Sequence, residues 1–293
     1  MKTIKLTKMQ GCGNDFIIAD YSEYEKTGLA MDGFAKKVCD RNFGVGADGL
    51  IIPDLNTEGA DIGWYFYNAD GTTAQMCGNG MRCFAKYVFD NGILPPLSKG
   101  GGRDAGQSGT AGGINSKAFS VKTGAGIIKP EILDNGLVKV NMGMPILEDE
   151  KIPFKGKRKI FDFEITPVSM GNPHCVIFTD KEPVELAKKY GPDIEKHEYF
   201  PEKTNVEFVR VLSRDEIDMC VYERGCGITL ACGTGACASV AAGVLNNLTQ
   251  GNVKVNLLGG AVFIEWQGSK DNPDKDIFLT GPADYVFKAE YML

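Results

Sequence analysis

Residues 222–239, YERGCGITLACGTGACAS, join a charged pair (Glu223-Arg224), a glycine-flanked cysteine and a run of small residues of helical length with almost no polar face. The chain carries this arrangement twice. In residues 67–88, YNADGTTAQMCGNGMRCFAKYV, a tyrosine and a polar residue again precede a CGxG turn: Asn68 stands nine positions before Cys77, as Glu223 stands nine before Cys232. A third element falls into the same frame. Gly13-Asn14 lies 64 residues ahead of Cys77, counting from the glycine, and Gly171-Asn172 lies 61 ahead of Cys232. Three matched elements in one order indicate two copies of a single unit, each presenting a GN turn and a cysteine at a helix start.

Outward from these turns, most of the chain reads as strand. Residues 4–19 give a short strand, a turn at GCGND and a buried strand FIIA; GVGADGLIIP reads as a turn running into a strand, because no strand precedes its glycines and no helix opens on the last one. A helix is expected from Asn79 to Asp90, stopped by Asn91-Gly92, and another from Gly233 to Leu245. AFSVKT, GIIKPEIL and LVKVNMG read as strands, the last two joined at Asp134-Asn135-Gly136, and a boundary between the copies falls near Asn141/Met142. In the second copy ITPVSM, CVIFT, TNVEFVRVL and MCVYERG are strands around a helix VELAKKYGP, and the hairpin-like pairs VKVNLLGGAVFIEWQG and DIFLTGPADYVFKAEY close the chain. Each copy is thus expected to be a set of largely antiparallel strands around one helix buried on all sides. Between the first helix and the returning strands, seven of the fourteen residues 100–113 are glycine, which predicts a mobile surface loop.

With 293 residues the chain can bury two cores, and 43% hydrophobic with 24% charged residues is the composition of a globular protein. A net charge of -6 argues against nucleic acid or anionic membrane as a partner, and the one basic cluster, KGKRK at 155–159, reads as a solvated turn. The N-terminus has no apolar signal core and no window is apolar enough to span a bilayer, so a cytoplasmic location is expected. Nine cysteines, an odd number without a small-domain spacing, fit free thiols in a reducing compartment. Cys77/Cys83, Cys226/Cys232 and Cys232/Cys237 lie six, six and five apart and only two histidines exist, so no metal site is expected.

A cysteine at a helix start meets unpaired N–H groups and the positive end of the helix dipole, both of which favour thiolate, and an open amide edge beside it can bind a carboxylate. Cys77 and Cys232 are therefore the candidate reactive pair. Cys39, Cys83, Cys175, Cys220 and Cys237 read as small buried hydrophobes, while Cys12 and Cys226 lie in glycine turns close to the candidate residues without opening a helix. If the copies pack face to face, one thiolate can take a proton from one face of a carbon while the opposite thiol delivers one to the other, with N–H donors holding the adjacent carboxylate. Asn14, Asn68, Asn172 and Asn205 sit at strand or turn ends, where an amide can serve a zwitterion; Arg224 can hold a carboxylate and Glu223 an ammonium.

The motifs GCGNDF, NADG, CGNGMRC, GNPHC, TNVEF, ERG and ACGTGACA, in this order over essentially the whole chain apart from 100–113, resemble those of the diaminopimelate epimerases. The resemblance implies an α+β fold of two pseudo-symmetric domains, each a mixed, mostly antiparallel β-barrel-like sheet around a central helix, covering residues 1–141, with 282–293 returning to it, and 142–281. It implies an isomerase without cofactor that interconverts LL- and meso-2,6-diaminopimelate for lysine and peptidoglycan synthesis, usually as a homodimer. On this sequence the two acid–base cysteines fall on Cys77 and Cys232, an assisting histidine on His174, substrate contacts on Asn14, Asn68, Asn172, Asn205, Glu223 and Arg224, and carboxylate-binding turns on Gly78-Asn79 and Gly233-Thr234. The chain departs from the pattern at Gly49 and Ile228, where a glutamine and a glutamate are common, and at Phe287, where an aromatic tied to dimer contact is a tyrosine. Two alternatives stay open at this level: a racemase of another amino acid such as histidine on the same scaffold, and a thiol-based redox or amino-acid-binding protein.

Overall fold

In the computed structural model, which describes residues 2–94 and 118–293, the chain gathers into two compact units. Residues 1–11, 15–139 and 283–293 form unit 1, and residues 12–14 with 140–282 form unit 2. The glycine-rich segment 100–113 lies outside the described residues.

Unit 1 opens with β1 (Thr3–Gly11), whose alternation buries Ile4 and Leu6 between exposed neighbours, and continues into β2 (Asn14–Ile18), buried from Phe16 onward. A short helix α1 (Tyr21–Glu25) and the amphipathic α2 (Met31–Cys39) lead to β3 (Gly49–Asp54), which lies parallel to β2 with Phe16 opposite Gly49. Antiparallel β4 (Ile62–Asn68) follows. Next come the long α3 (Gly78–Asp90), β5 (Val121–Thr123) parallel to β4, and β6 (Gly126–Ile128) antiparallel to β5. Phe34 and Val38 of α2 pack with Ile4, Leu6, Ile17, Leu50 and Ile52 in one core. The segment GIIKPEIL does not form the single strand its composition suggests. It breaks at Lys129-Pro130 into β6 and β7 (Glu131–Ile132), because proline has no N–H to donate to a ladder. β7 pairs with β8 (Val138–Asn141) around the Asn135-Gly136 turn, with Gly136 at φ 81°.

Unit 2 begins with the small pair β9 (Lys159–Ile160) and β10 (Phe163–Glu164), preceded by the exposed 155–159 cluster. Its main sheet runs from β11 (Thr166–Ser169) to antiparallel β12 (Pro173–Phe178) and then, across α4 (Pro183–Glu195), to β13 (Asn205–Ser213), parallel to β12 with His174 opposite Asn205. β14 (Glu216–Glu223) is antiparallel to β13 and carries the two-residue β15 (Gly227–Ile228) on its end. After α5 (Gly233–Leu245), β16 (Asn252–Leu257) lies parallel to β14, followed by antiparallel β17 (Gly260–Trp266) and β18 (Ile277–Gly281). α5 is built of small residues and buried without interruption from Gly235 to Gly243, so the sheet can close on it from every side. Val240, Ala241 and Ala242 pack with Val253, Val255, Ile264 and Trp266.

The two units share one order of pairings. β2 and β3 are parallel, β3 and β4 antiparallel, β4 and β5 parallel, β5 and β6 antiparallel; β12, β13, β14, β16 and β17 repeat that series. Parallel neighbours need a crossover, and α2 with α4, then α3 with α5, supply it at matched places. The last expected hairpin does not form: β18 stays with β17 in unit 2, whereas β19 (Asp284–Met292) pairs with β1 in unit 1 from Thr3 opposite Met292 to Gln10 opposite Asp284. Among the described residues no helix is long and apolar enough to cross a membrane.

Candidate active site

The first turns of α3 and α5 are built alike. Cys77 is the N-cap of α3 in extended backbone, and its Sγ accepts the N–H of Gly80 at 3.5 Å; Cys232 caps α5 in the same way, accepting from Gly235 at 3.4 Å. Each thiol therefore takes an amide that the helix leaves unpaired, in the manner of a serine or aspartate cap. Gly78 and Asn79 follow Cys77 and are buried, Asn79 held by the guanidinium of the fully buried Arg82 at 2.9 Å. Asn68 ends β4, exposed, donating to Thr72 Oγ1 at 2.9 Å.

The surroundings of Cys232 are more polar. Gly233 and the half-buried Thr234 open α5, and Thr234 Oγ1 lies 3.5 Å from Sγ. Asn172, in the turn between β11 and β12, donates through Nδ2 to Thr234 Oγ1 at 3.4 Å. His174, on β12, is fully buried, with Nε2 3.1 Å from Asn172 Oδ1 and Nδ1 2.7 Å from Glu207 Oε1. Both ring nitrogens are thus engaged by these two residues. Asn14, the partner of Asn172 in the repeat, stands at the start of β2; the turn before it packs in unit 2, with Cys12 Sγ donating to Ala261 O at 3.8 Å and Cys12 in the left-handed region at φ 54°.

Burial pushes the Cys232 thiol well above its ordinary range; Glu223 and then Glu207 push it further, and the bonds from Thr234 and Gly235 only partly offset them. Burial and the two carboxylates therefore oppose the thiolate that a helix start favours at Cys232. Removing a sulfur from water next to two carboxylates outweighs a helix dipole's fraction of a charge. For Cys39 and Cys220 burial likewise raises the thiol, to about 12 and about 11, and Cys175 is pushed well up. All nine cysteines are free thiols; Cys226 is exposed, Cys77 half-buried and the others buried.

Glu223 and Arg224 end β14. Glu223 accepts from the Thr229 hydroxyl, and the exposed Arg224 donates from Nη1 to Glu202 O at 3.1 Å. Asn205, buried at the start of β13, ties this corner together: Oδ1 accepts the Arg224 N–H at 3.0 Å and Nδ2 donates to Pro173 O at 3.0 Å. Three supporting residues were not singled out by the sequence reading. Glu195 accepts the Gly225 N–H at 3.0 Å from the end of α4, Thr229 holds Glu223, and Glu207 holds His174. For Glu207 a signal was present: a carboxylate inside VEFV, a strand segment buried throughout, requires a partner.

The sequence matches the family described as diaminopimelate epimerase over residues 6–148 and 166–286. It is 42% identical to the diaminopimelate epimerase of Carboxydothermus hydrogenoformans, with 99% of this chain and all of that one covered. Identity to the enzyme of that name from Pelotomaculum thermopropionicum is 43%, covering 97% of this chain and 98% of the relative. Among solved structures, a PhzF-family phenazine biosynthesis protein from Bacillus anthracis overlays the whole of both chains with a TM-score of 0.69 at 16% identity, a likeness of fold. Two cysteine-capped helices in repeated units, set within a full-length match at this level of identity, place the chain in the diaminopimelate epimerase family.

Proposed function

We propose that this protein interconverts LL- and meso-2,6-diaminopimelate without a cofactor, by proton transfer at the α-carbon, in lysine and peptidoglycan precursor synthesis. The observation that carries this reading is the pair of thiol-capped helix starts at Cys77 and Cys232, with the same cap geometry in both units. Inversion at carbon requires a base on one face and an acid on the other. Cys232, kept protonated by burial and by Glu223 and Glu207, suits the acid, and Cys77 takes the base. Cys77 thiolate removes the α-proton and becomes a thiol; Cys232 gives its proton to the opposite face and becomes a thiolate; Cys77 then loses its proton to solvent and Cys232 regains one, or the reverse reaction resets both. The carbanion between these steps is stabilised through its carboxylate by the N–H groups at Gly78-Asn79 and Gly233-Thr234.

The remaining contacts choose the substrate. Asn14, Asn68 and Asn172 serve the zwitterion, with Asn205 shaping the corner that presents Glu223 to an ammonium and Arg224 to a carboxylate at the far end of diaminopimelate. The two epimerase halves in this reading are residues 1–141 with 282–293, and 142–281. The protein acts in the cytoplasm on a small molecule, as a homodimer; sedimentation at a monomer's mass would remove the dimer from the proposal.

Incubation in deuterium oxide with LL-diaminopimelate, and separately with L-histidine, tests the reaction. Deuterium is expected at the α-carbon of diaminopimelate alone, and its absence there overturns the reading. Cys77→Ala and Cys232→Ala should each lower inversion by at least about a hundredfold, because either thiol alone serves one face. Full turnover in either variant refutes the two-base mechanism.

A further inference from the structure

Beneath the first turn of α5, unit 2 buries a pair of ionisable side chains. His174 and Glu207 are both fully buried, Nδ1 lies 2.7 Å from Oε1, and Glu207 Oε2 has no hydrogen-bond partner among the described residues. From the ring the contacts continue without a gap. Nε2 meets Asn172 Oδ1 at 3.1 Å, Asn172 Nδ2 donates to Thr234 Oγ1 at 3.4 Å, and that hydroxyl lies 3.5 Å from Cys232 Sγ. Asn172 presents its oxygen to the ring and its nitrogen to Thr234, so one line of contacts runs from Glu207 to the Cys232 thiol.

The repeat shows that packing alone does not call for this pair. In β12 and β13, His174 faces Asn205 and Glu207 follows two residues on; in β2 and β3, Phe16 faces Gly49 and Ile51 follows two residues on. A methyl group at Gly80 would meet Phe16 and Ile51 at 3.4 and 3.5 Å, whereas one at Gly235 would meet Glu207 Oε1 at 2.7 Å. The same place under the helix start is filled by two apolar side chains in unit 1 and by a histidine and a glutamate in unit 2. A buried pair of ionisable side chains is seldom more stabilising than an apolar pair of similar size, so stability does not account for it.

We infer that Glu207 is a positioning residue: by accepting from Nδ1 it aims His174 Nε2 at Asn172, and through Asn172 it fixes the Thr234 hydroxyl that faces the Cys232 thiol. This rests on the reading of Cys232 as an acid–base group. At the matching place in unit 1 stand Phe16 and Ile51, so the two helix starts are built differently.

Two variants test it, Glu207→Gln and the double change His174→Phe with Glu207→Ile, which installs the apolar pair of unit 1. Both should melt within a few degrees of wild type while kcat falls on the order of tenfold to a hundredfold and KM moves by less than about threefold. Nitrogen-15 spectra offer an independent readout, since the chain has only two histidines and His197→Asn assigns them. The Nδ1 resonance of wild-type His174 should report its bond to Glu207, and Glu207→Gln should shift it. Wild-type kcat in either folded variant, a rise in KM alone, or an unchanged ring spectrum overturns the inference. A wild-type protein that inverts no diaminopimelate removes the functional reading instead, and the ring spectra still judge the pair.

Discussion

One methyl group distinguishes alanine from glycine, and the two helix starts should respond to it differently. At Gly80 an added Cβ makes ordinary contact with Phe16 and Ile51, so Gly80→Ala should be neutral or gain up to about 1 kcal/mol from reduced backbone entropy. At Gly235 the Cβ would lie 2.7 Å from Glu207 Oε1 and 3.3 Å from Cys232 Sγ; the carboxylate is pinned by His174 and cannot swing away. Gly235→Ala should therefore cost about 1–3 kcal/mol and reduce turnover. Urea denaturation of both variants checks the contrast, and a larger loss at Gly80 contradicts it. The two cysteines were legible in the sequence because they recur in the same frame. Glu207 was legible only as a buried carboxylate in need of a partner, because that partner, His174, lies 33 positions away on a neighbouring strand. The raised thiol of Cys232 was not legible for a related reason: the local signal of a helix start is visible in sequence, while burial and the approach of Glu223 and Glu207 are not.

Strand ends in unit 1 are tied by charge. Asp15 at the start of β2 and Asp48 just before β3 exchange backbone bonds to each other's carboxylates, Lys8 of β1 reaches Asp15 at 2.9 Å, and Arg41 bridges both aspartates at 2.8 Å. Burial pushes the Asp15 carboxyl up, but bonds and charges from Arg41 and Lys8 outweigh it and leave it below the ordinary value. A depressed carboxylate contributes stability that is complete above its unfolded pKa of about 3.9 and is lost as pH falls through the folded value. Lys8→Met should therefore destabilise unit 1 by about 1 kcal/mol at neutral pH, a deficit that shrinks as the pH falls below the ordinary carboxylate range and Asp15 protonates. Of the two tryptophans, Trp64 lies in unit 1 and Trp266 in unit 2, so Trp64 fluorescence in a Trp266→Phe background reports on the right unit. An equal deficit at neutral and at acid pH would show that Lys8 acts by packing alone. The elements themselves were mostly readable, helix α5 over its full extent from Gly233 to Leu245, because periodicity and caps are local. The split of GIIKPEIL at Pro130 turned on one missing N–H inside an otherwise continuous strand pattern.

At the scale of the whole chain, repetition carried the architecture: two copies of a motif predicted two units with one order of strands, and the pairings of β2 to β6 recur in β12 to β17. Local pattern could not place the last strand. DIFLTGPADYVF has the length and turn residues of a hairpin, yet β19 leaves β18 and covers β1, a partner near the other end of the chain. That pairing satisfies an edge of β1, whose Ile4 and Leu6 belong to the unit 1 core, that would otherwise be open. Ending the chain at Ala283 should then loosen unit 1 selectively. Amides of β1 should exchange with solvent at least about tenfold faster, and the Trp64 transition should move to lower urea, while amides of β13 and β14 in unit 2 keep their protection. If β1 amides exchange at the wild-type rate in the shortened protein, β19 is a cover and not a support. If β13 and β14 lose protection to the same degree, the two units unfold as one cooperative body, and the division of the chain into two compact units has no counterpart in its stability.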